Sequence, residues 1–187
     1  NPVMMLVIKD LKTIPLTVHV PLKNVPKLIS KTLLELTISI AKESLVSLFN
    51  ISKPRIIITG LNPHAGENGE IGNEEVKIII PTIRKLRNKG INIIGPKSAD
   101  SILINKNMNK YDCYVFIFHD QALIPFKYIS QFTGVNYTGS LSVIRTSPDH
   151  GTAYDMIGSK EISNQSFINC IKLIKKIYRN KKLNDKS

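Results

Sequence analysis

Short apolar runs rich in β-branched residues recur along the chain, and stretches with helical periodicity separate them. This alternation is typical of an α/β fold, in which helices flank a mostly parallel sheet. Strands are predicted over residues 14–20, 55–60, 91–96, 113–118 and 143–146. Helices are predicted over residues 26–50 and 73–89, the second capped by Asn73, with a shorter helix starting near residue 98. The 187 residues, 42% of them hydrophobic, suffice for one domain with a substantial core.

The formal charge of +12 raises the question of nucleic-acid or membrane binding. The lysines are spread along the whole chain, which favours a compositional bias over a basic binding patch. The densest basic run, residues 172–182, alternates with isoleucines and predicts the solvated face of a last amphipathic helix. The apolar stretches are shorter than the roughly 20 residues of a membrane span. We therefore expect neither a nucleic-acid nor a membrane partner.

Two cysteines, Cys113 and Cys170, lie far apart in apolar surroundings and outside any CxxC pattern. This spacing disfavours a disulfide framework and a thiolate metal site. A reducing, cytoplasmic location is the resulting expectation.

Three of the four histidines follow predicted strands, in the segments IPLTVH, RIIITGLNPH and CYVFIFH. If these strands are parallel neighbours, His19, His64 and His119 converge on one edge of the sheet. Each histidine alone could instead be a hydrogen-bonded structural residue. A metal ion bound by three imidazoles keeps open coordination positions, which is typical of a catalytic metal site. The sequence therefore predicts a three-histidine metal site.

Two aspartates near the same strand ends are candidates for orienting the ligands or for carrying a catalytic proton. Asp120 directly follows the third histidine, and Asp100 follows the strand predicted over residues 91–96. Each could instead be a helix cap. The acids Glu74 and Glu75 are expected only to stabilise the first turn of the helix that they precede.

Cationic and amide donors follow His119 along the chain. Lys127, Asn136 and Arg145 would suit a phosphorylated or carboxylated small substrate, although each alone would be an ordinary surface residue. The segment SPDHGTA is rich in turn formers, and its Gly151 permits close backbone approach, which is a weak cofactor signal.

The motifs GLNPHAGENG, YDCYVFIFHDQALIPFKY, VNYTGS and IRTSPDHGTAYDMIG together resemble the 4-hydroxythreonine-4-phosphate dehydrogenase family of pyridoxal phosphate biosynthesis. The opening segment MMLVIKDLKTIPLTVHVPLKNVP is also similar to the family's stretch around its first metal histidine. The resemblance implies a fold similar to isocitrate and isopropylmalate dehydrogenases. It implies metal ligation by His19, His64 and His119 of one subunit, and substrate contacts from Lys127, Asn136 and Arg145 of the other subunit of a homodimer.

The resemblance further implies NAD or NADP as cofactor and zinc, magnesium or cobalt as the divalent metal. The cofactor would contact the residues of the HGTAYD loop, which are His150, Gly151, Thr152, Ala153 and Asp155. The implied reaction oxidises 4-phosphooxy-L-threonine to 2-amino-3-oxo-4-phosphooxybutanoate, which decarboxylates to 3-amino-2-oxopropyl phosphate.

Family members are longer than this chain, and the portion without a counterpart is N-terminal, where a His-Thr pair helps to bind substrate. Residues 1–187 are therefore expected to form a single α/β catalytic region of a longer two-domain enzyme. Two alternatives stay open: a partial metal-binding module without activity, and a metal-dependent hydrolase or lyase that uses no nicotinamide.

Overall fold

The computed structural model describes residues 2–104, 108, 110–151, 154, 157–158 and 163–184. The strands among them are β1 (Val3–Ile8), β2 (Leu11–Thr17), β3 (Ile56–Thr59), β4 (Ile93–Lys97), β5 (Cys113–Phe118), β6 (Val135–Gly139) and β7 (Arg145–Pro148). The α-helices are α1 (Val25–Leu28), α2 (Lys31–Ser47), α3 (Ile80–Asn88), α4 (His119–Ser130) and α5 (Gln165–Asn184). A π-helical turn, Glu75–Ile79, leads directly into α3.

The strands form one sheet in the order β4-β3-β5-β2-β1-β6-β7. Its first four strands are parallel, and antiparallel pairing joins β2 to β1, β1 to β6 and β6 to β7. The predicted α/β class is confirmed, with the parallel pairing concentrated in one half of the sheet. Because β3, β5 and β2 are parallel neighbours, their carboxyl ends lie side by side at one edge.

Side chains alternate between two apolar layers on opposite faces of the sheet. Ile56 and Ile58 of β3 belong to the larger cluster, which includes Leu34 of α2 and Ile83 of α3. Ile57, between them, belongs to the second cluster. Helix α4 covers that second face with Ala122 and Phe126, both fully buried. The sheet is therefore covered by helices on both faces, as expected for strands that are apolar throughout.

The predicted strands all overlap observed ones, whereas β1, β6 and the helix α4 were not predicted. The helix predicted from residue 98 is wrong, because residues 99–103 form turns. Asn73 lies at the predicted start of the helix, where its carbonyl accepts from the Lys77 amide at 2.8 Å, but no side chain caps the π-helical turn. The predicted last amphipathic helix is confirmed by α5, which buries Leu173 and Ile177.

Both cysteines are buried free thiols. Burial raises the pKa of Cys113 to about 12 and raises that of Cys170. Such thiols remain protonated and are poor nucleophiles or metal ligands. No helix in the described ranges is long and apolar enough to cross a membrane.

Candidate active site at the carboxyl edge of the parallel strands

Side-chain hydrogen bonds fasten the three strand ends to one another. The Thr17 hydroxyl at the end of β2 donates to the carbonyl of Ile117 in β5, at 2.9 Å. The Gln121 side chain accepts from the Thr59 hydroxyl of β3 at 3.2 Å and from the Ile117 amide at 3.1 Å, and donates to the Gly60 carbonyl at 3.2 Å. The segments that carry the three candidate histidines therefore leave the sheet at an edge where hydrogen bonds hold the strand ends together.

His19 and His119 lie beside each other at this edge. Their ring centroids are 5.7 Å apart, with the ring planes inclined by 45°. His19 has a left-handed backbone, with φ of 51°, whereas His119 is the first residue of α4. The two rings are close enough to bind the same metal ion, which supports His19 and His119 as candidate metal ligands.

Asp120 fixes the orientation of the His119 ring. The His119 Nδ1 and the Asp120 Oδ1 are 2.6 Å apart. In a neutral imidazole that donates this hydrogen bond, the lone pair lies on Nε2, the free ring nitrogen. A carboxylate that orients a histidine in this way is the usual support for a metal-ligating imidazole.

His64 is presented by a left-handed turn. Residues 64 to 68 all have positive φ, with values of 52°, 55°, 81°, 40° and 57°. Only Gly66 of the five adopts this conformation without a steric penalty, which for other residues is about 1–2 kcal/mol each. His64 itself is exposed. Backbone strain of this kind persists only where surrounding contacts hold it.

Glu75 is the main contact that holds the turn. Its side chain is fully buried, and it accepts hydrogen bonds from the backbone amide of Asn62 at 2.8 Å and from the Asn62 side chain at 2.9 Å. A β-carbon at Gly66 would lie 2.7 Å from one carboxylate oxygen of Glu75, so the turn packs directly on this group. Glu75 thus lies in the first helical turn, as predicted, and in addition it holds the preceding loop through Asn62.

One cavity of about 650 Å³ collects most of the predicted site residues. Those that line it are His19, His119, Asp120, Lys127, Asn136, His150 and Gly151. The remaining lining residues are Met4, Leu123, Ile124, Pro148 and Asp149. We call this space the edge cavity.

The other predicted residues lie elsewhere. His64 lines a second cavity, of about 590 Å³, together with Arg84 and Arg87. Asp100 is exposed in the turn after β4. Arg145, also exposed, donates from Nη1 to the Thr138 hydroxyl at 2.9 Å, at the opposite end of β7 from the edge cavity. Thr152, Ala153 and Asp155 are outside the described residues.

A family model described as pyridoxal phosphate biosynthetic protein PdxA matches residues 1–174. The chain belongs to the PdxA family. A curated relative, the 4-hydroxythreonine-4-phosphate dehydrogenase of Bradyrhizobium diazoefficiens, is 44% identical over 173 residues, which are 92% of this chain and 50% of the relative. The chain thus spans about half the length of this PdxA relative.

Solved structures agree with the family. The 4-hydroxythreonine-4-phosphate dehydrogenase from Klebsiella pneumoniae superposes with a TM-score of 0.84 at 34% identity, over 97% of this chain and 54% of that chain. A terephthalate 1,2-cis-dihydrodiol dehydrogenase from Burkholderia xenovorans superposes with a TM-score of 0.75 at 27% identity, over 94% of this chain and 55% of that chain. The PdxA fold is similar to that of isocitrate and isopropylmalate dehydrogenases, as the motifs implied.

PdxA membership implies a nicotinamide cofactor and a divalent metal ion. The paired rings of His19 and His119, with Asp120 behind one of them, fit a metal ion as two of its ligands. In the part of the chain that the structure describes, no three His, Cys, Asp or Glu side chains lie close enough together to hold an ion. The three-histidine site therefore stays a prediction; His64 lines a different cavity from the one that His19 and His119 share.

Asp149 is the residue of the edge cavity that the sequence did not single out. It is only 5% exposed, and within the described ranges its Oδ2 has no hydrogen-bond partner. Burial raises the pKa of this carboxyl, and the positive charges of Lys127, His150 and His119 partly oppose that effect. The segment SPDHG predicts a turn with a weak cofactor signal, and a polar residue between Pro148 and His150 carries no sign of burial.

Proposed function

We propose that the protein containing this chain is a 4-hydroxythreonine-4-phosphate dehydrogenase of pyridoxal phosphate biosynthesis. The substrate is 4-phosphooxy-L-threonine, and NAD or NADP accepts the hydride. The observation that carries the proposal is the edge cavity, which joins the histidine pair to Lys127 and Asn136 in a chain of the PdxA family. The oxidised product, a β-keto acid, loses carbon dioxide to give 3-amino-2-oxopropyl phosphate.

The substrate is an anion at neutral pH, and Lys127 is the cation of α4 that faces the edge cavity. Its ammonium group binds a phosphate or carboxylate of the substrate, and the Asn136 amide fixes the substrate's orientation by hydrogen bonding. Arg145 joins them as a substrate ligand in the proposal, although its side chain lies outside this cavity. Asp120 Oδ1 accepts a hydrogen bond from His119 Nδ1, which leaves Nε2 as the ring nitrogen that would bind the divalent ion.

His19, His64 and His119 are the proposed ligands of the divalent ion. When bound, such an ion acts as a Lewis acid beside the hydroxyl that is oxidised. Imidazole ligands favour zinc or cobalt over magnesium, which prefers oxygen. Asp100 remains a second candidate for proton transfer, after Asp120.

The nicotinamide cofactor would lie along the loop that follows β7. His150 and Gly151 of this loop line the edge cavity, and the His150 Nδ1 is 3.0 Å from the Gly151 carbonyl oxygen. A β-carbon at Gly151 would meet nothing within 4 Å, so the backbone there is open to a ligand. Thr152, Ala153 and Asp155 complete the proposed cofactor contacts.

The proposed functional unit is a cytoplasmic homodimer whose active sites are shared between subunits. An apolar stripe on and just after α4 supports this assembly: Ile124, Tyr128 and Phe132 recur every four residues and are 70%, 80% and 63% exposed. The stripe begins at the wall of the edge cavity, because Ile124 also lines that cavity. In the proposed dimer, Lys127, Asn136 and Arg145 of the second subunit would contact the substrate that the three histidines of the first subunit hold through the metal ion, as the resemblance implies.

Turnover by the full-length protein tests the function. Purified protein is stripped of metal with a chelator, resupplied with zinc, cobalt or magnesium, and mixed with 4-phosphooxy-L-threonine and NAD or NADP. We expect reduced nicotinamide to appear only after metal is restored. Substrate loss without cofactor reduction would favour the hydrolase or lyase, and oxidation of terephthalate dihydrodiol alone would redirect the assignment toward the Burkholderia relative.

Light scattering tests the homodimer. The full-length protein should elute at twice the mass of one chain, and Tyr128→Lys should shift it toward the monomer because the lysine places a charge in the apolar stripe. The matched control is Tyr178→Lys, since Tyr178 is likewise exposed, at 51%, but lies on α5. A wild-type monomer would contradict the shared site.

A further inference from the structure

A cavity of about 450 Å³ lies between helix α5 and the turn that joins β1 to β2. Among the described residues, none lines both this cavity and the edge cavity. Val135 of β6 lines it, whereas the next residue, Asn136, lines the edge cavity. Because successive side chains of a strand point to opposite faces, the two cavities lie on opposite sides of β6. We call it the lysine cavity, after its lining residues Lys9, Lys172 and Lys176.

These three exposed lysines come from two separate elements. Lys9 belongs to the β1–β2 turn, and Lys172 and Lys176 lie one helical turn apart on the same face of α5. Like charges at this helical spacing repel each other. Within the ranges that the structure describes, none of the three lysines forms an ion pair, and no carboxylate lines the cavity. The described residues therefore leave this concentration of positive charge uncompensated.

Lys12 adds a fourth positive charge beside the lysine cavity. It is only 6% exposed, and it pairs across the hairpin with the lining residue Val7, so both side chains lie on one face of the sheet. Its Nζ lies 5.3 Å from the centre of the ring of Phe49, another lining residue. The Asp10 carbonyl, at 3.2 Å, is the one acceptor that the described residues provide for its three N–H groups. Burial lowers the pKa of Lys12, and the positive charge of Lys176 lowers it further. Lysines are rarely buried unless they are paired, so a negative charge in this cavity would stabilise Lys12.

The lysine cavity combines this charge with apolar lining and a fixed polar wall. Phe49, Val135 and Leu173 line it and are buried. The Asn169 side chain on α5 donates to the Thr133 carbonyl at 2.7 Å and so holds the helix against the segment that precedes β6. Small-molecule sites are typically concave, largely apolar and about 300–1,000 Å³ in volume, with a few polar or charged groups that orient the ligand.

We propose that the lysine cavity binds a small phosphate monoester that carries an apolar ring. The phosphate is held by Lys9, Lys172 and Lys176, and the ring lies against Phe49 and Leu173. A phosphate monoester carries about −1.5 to −2 charges at neutral pH and three acceptor oxygens, which match three ammonium groups better than a carboxylate does. Because the lysine cavity is separate from the edge cavity, this inference does not depend on the dehydrogenase reaction.

Calorimetry on the full-length protein, with phenyl phosphate as the probe, tests the inference. Lys127→Met is present throughout, so that the anion contact proposed in the edge cavity does not contribute. The test variant carries Lys172→Gln and Lys176→Gln. The matched control carries Lys175→Gln and Lys181→Gln, which remove the same charge from exposed positions of the same helix outside the cavity.

We expect saturable binding of one phenyl phosphate per chain, and an affinity about 10-fold lower in the Lys172→Gln, Lys176→Gln variant. The control should bind as tightly as its parent. Inorganic phosphate should bind the parent at least about 10-fold more weakly than phenyl phosphate, because it leaves the apolar lining uncovered.

Three results would overturn the assignment. The first is the absence of a saturable signal with phenyl phosphate. The second is an equal loss of affinity in the test and control variants, which would show attraction by net charge alone. The third is equal affinity for inorganic phosphate and phenyl phosphate, which would show that no ring is bound.

Discussion

Replacing Glu75 by glutamine tests whether a buried carboxylate holds the left-handed turn of residues 64–68. Glu75 accepts two hydrogen bonds from Asn62, one from the backbone amide and one from the side chain. A glutamine has the same shape, but its NH2 group would face one of the two N–H groups of Asn62, so that one of the two hydrogen bonds is lost. The perturbation therefore removes charge and one acceptor without opening a cavity.

The expected loss follows from these contacts. A hydrogen bond to a charged group contributes about 1.5–3 kcal/mol, and the donor left unpaired in the interior adds to the loss. We expect Glu75→Gln to lower the free energy of unfolding by about 2–4 kcal/mol. For a chain of this size, 1 kcal/mol corresponds to about 2–4 °C, so the midpoint should fall by roughly 5–15 °C.

Thermal and urea unfolding followed by circular dichroism give the stability, and hydrogen exchange gives the location. Amide exchange at residues 64–68 should accelerate more than exchange in β5, because the strained turn is released before the sheet opens. Glu70→Gln is the control, since Glu70 lies in the same segment with an exposed side chain. A midpoint for Glu75→Gln within about 2 °C of the control, with unchanged exchange in the turn, would show that the Glu75 carboxylate does not hold the turn.

Three further outcomes follow from the edge cavity. Asp149→Asn should stabilise the protein by about 1 kcal/mol at neutral pH. Burial raises the pKa of the Asp149 carboxyl, so the wild-type protein loses stability as the pH rises from the ordinary pKa of 3.8 through the raised pKa. In urea unfolding, the stability difference between Asp149→Asn and the wild type should therefore vanish below pH 3.8. Asp120→Asn should weaken cobalt binding to the full-length protein by about 10- to 100-fold, as measured by chelator competition; unchanged affinity would exclude its orienting role. Lys127→Met should raise KM by about 10-fold or more while kcat changes less, and steady-state kinetics with an unaltered KM would contradict the anion contact.

The fold followed from the sequence where hydrophobicity alone decides the structure. The apolar runs that became β2, β3 and β5 lie in the interior of the sheet, where both faces are covered and every residue except Lys12 is apolar or small. Their parallel pairing brought the three histidine segments to one edge, as the alternation of strands and helices had indicated. The antiparallel strands β1 and β6 gave weaker signals, because β1 carries two methionines, which do not favour strands as β-branched residues do, and β6 is interrupted by Asn136 and ends at Gly139.

The details of the site depend on contacts that sequence spacing does not encode. Gln121 of α4 accepts a hydrogen bond from Thr59 of β3, which lies 62 positions earlier in the sequence. Glu75 likewise accepts from Asn62, which lies 13 positions earlier in a loop. The helix α4 contains Pro125, which concealed its periodicity after the apolar strand β5. The left-handed backbone of His64 likewise arises from packing on Glu75, because only Gly66 within the turn favours it intrinsically.

Substrate deuterated at the carbon that bears the secondary hydroxyl shows whether the edge cavity serves hydride transfer. The full-length protein is incubated with this substrate, a divalent metal and NAD or NADP, and the reduced cofactor is analysed by mass spectrometry. We expect one deuterium per reduced nicotinamide, with no transfer when both His19 and His119 are replaced by alanine. Deuterium released to water, or transfer that persists without the histidine pair, would contradict hydride transfer in the edge cavity.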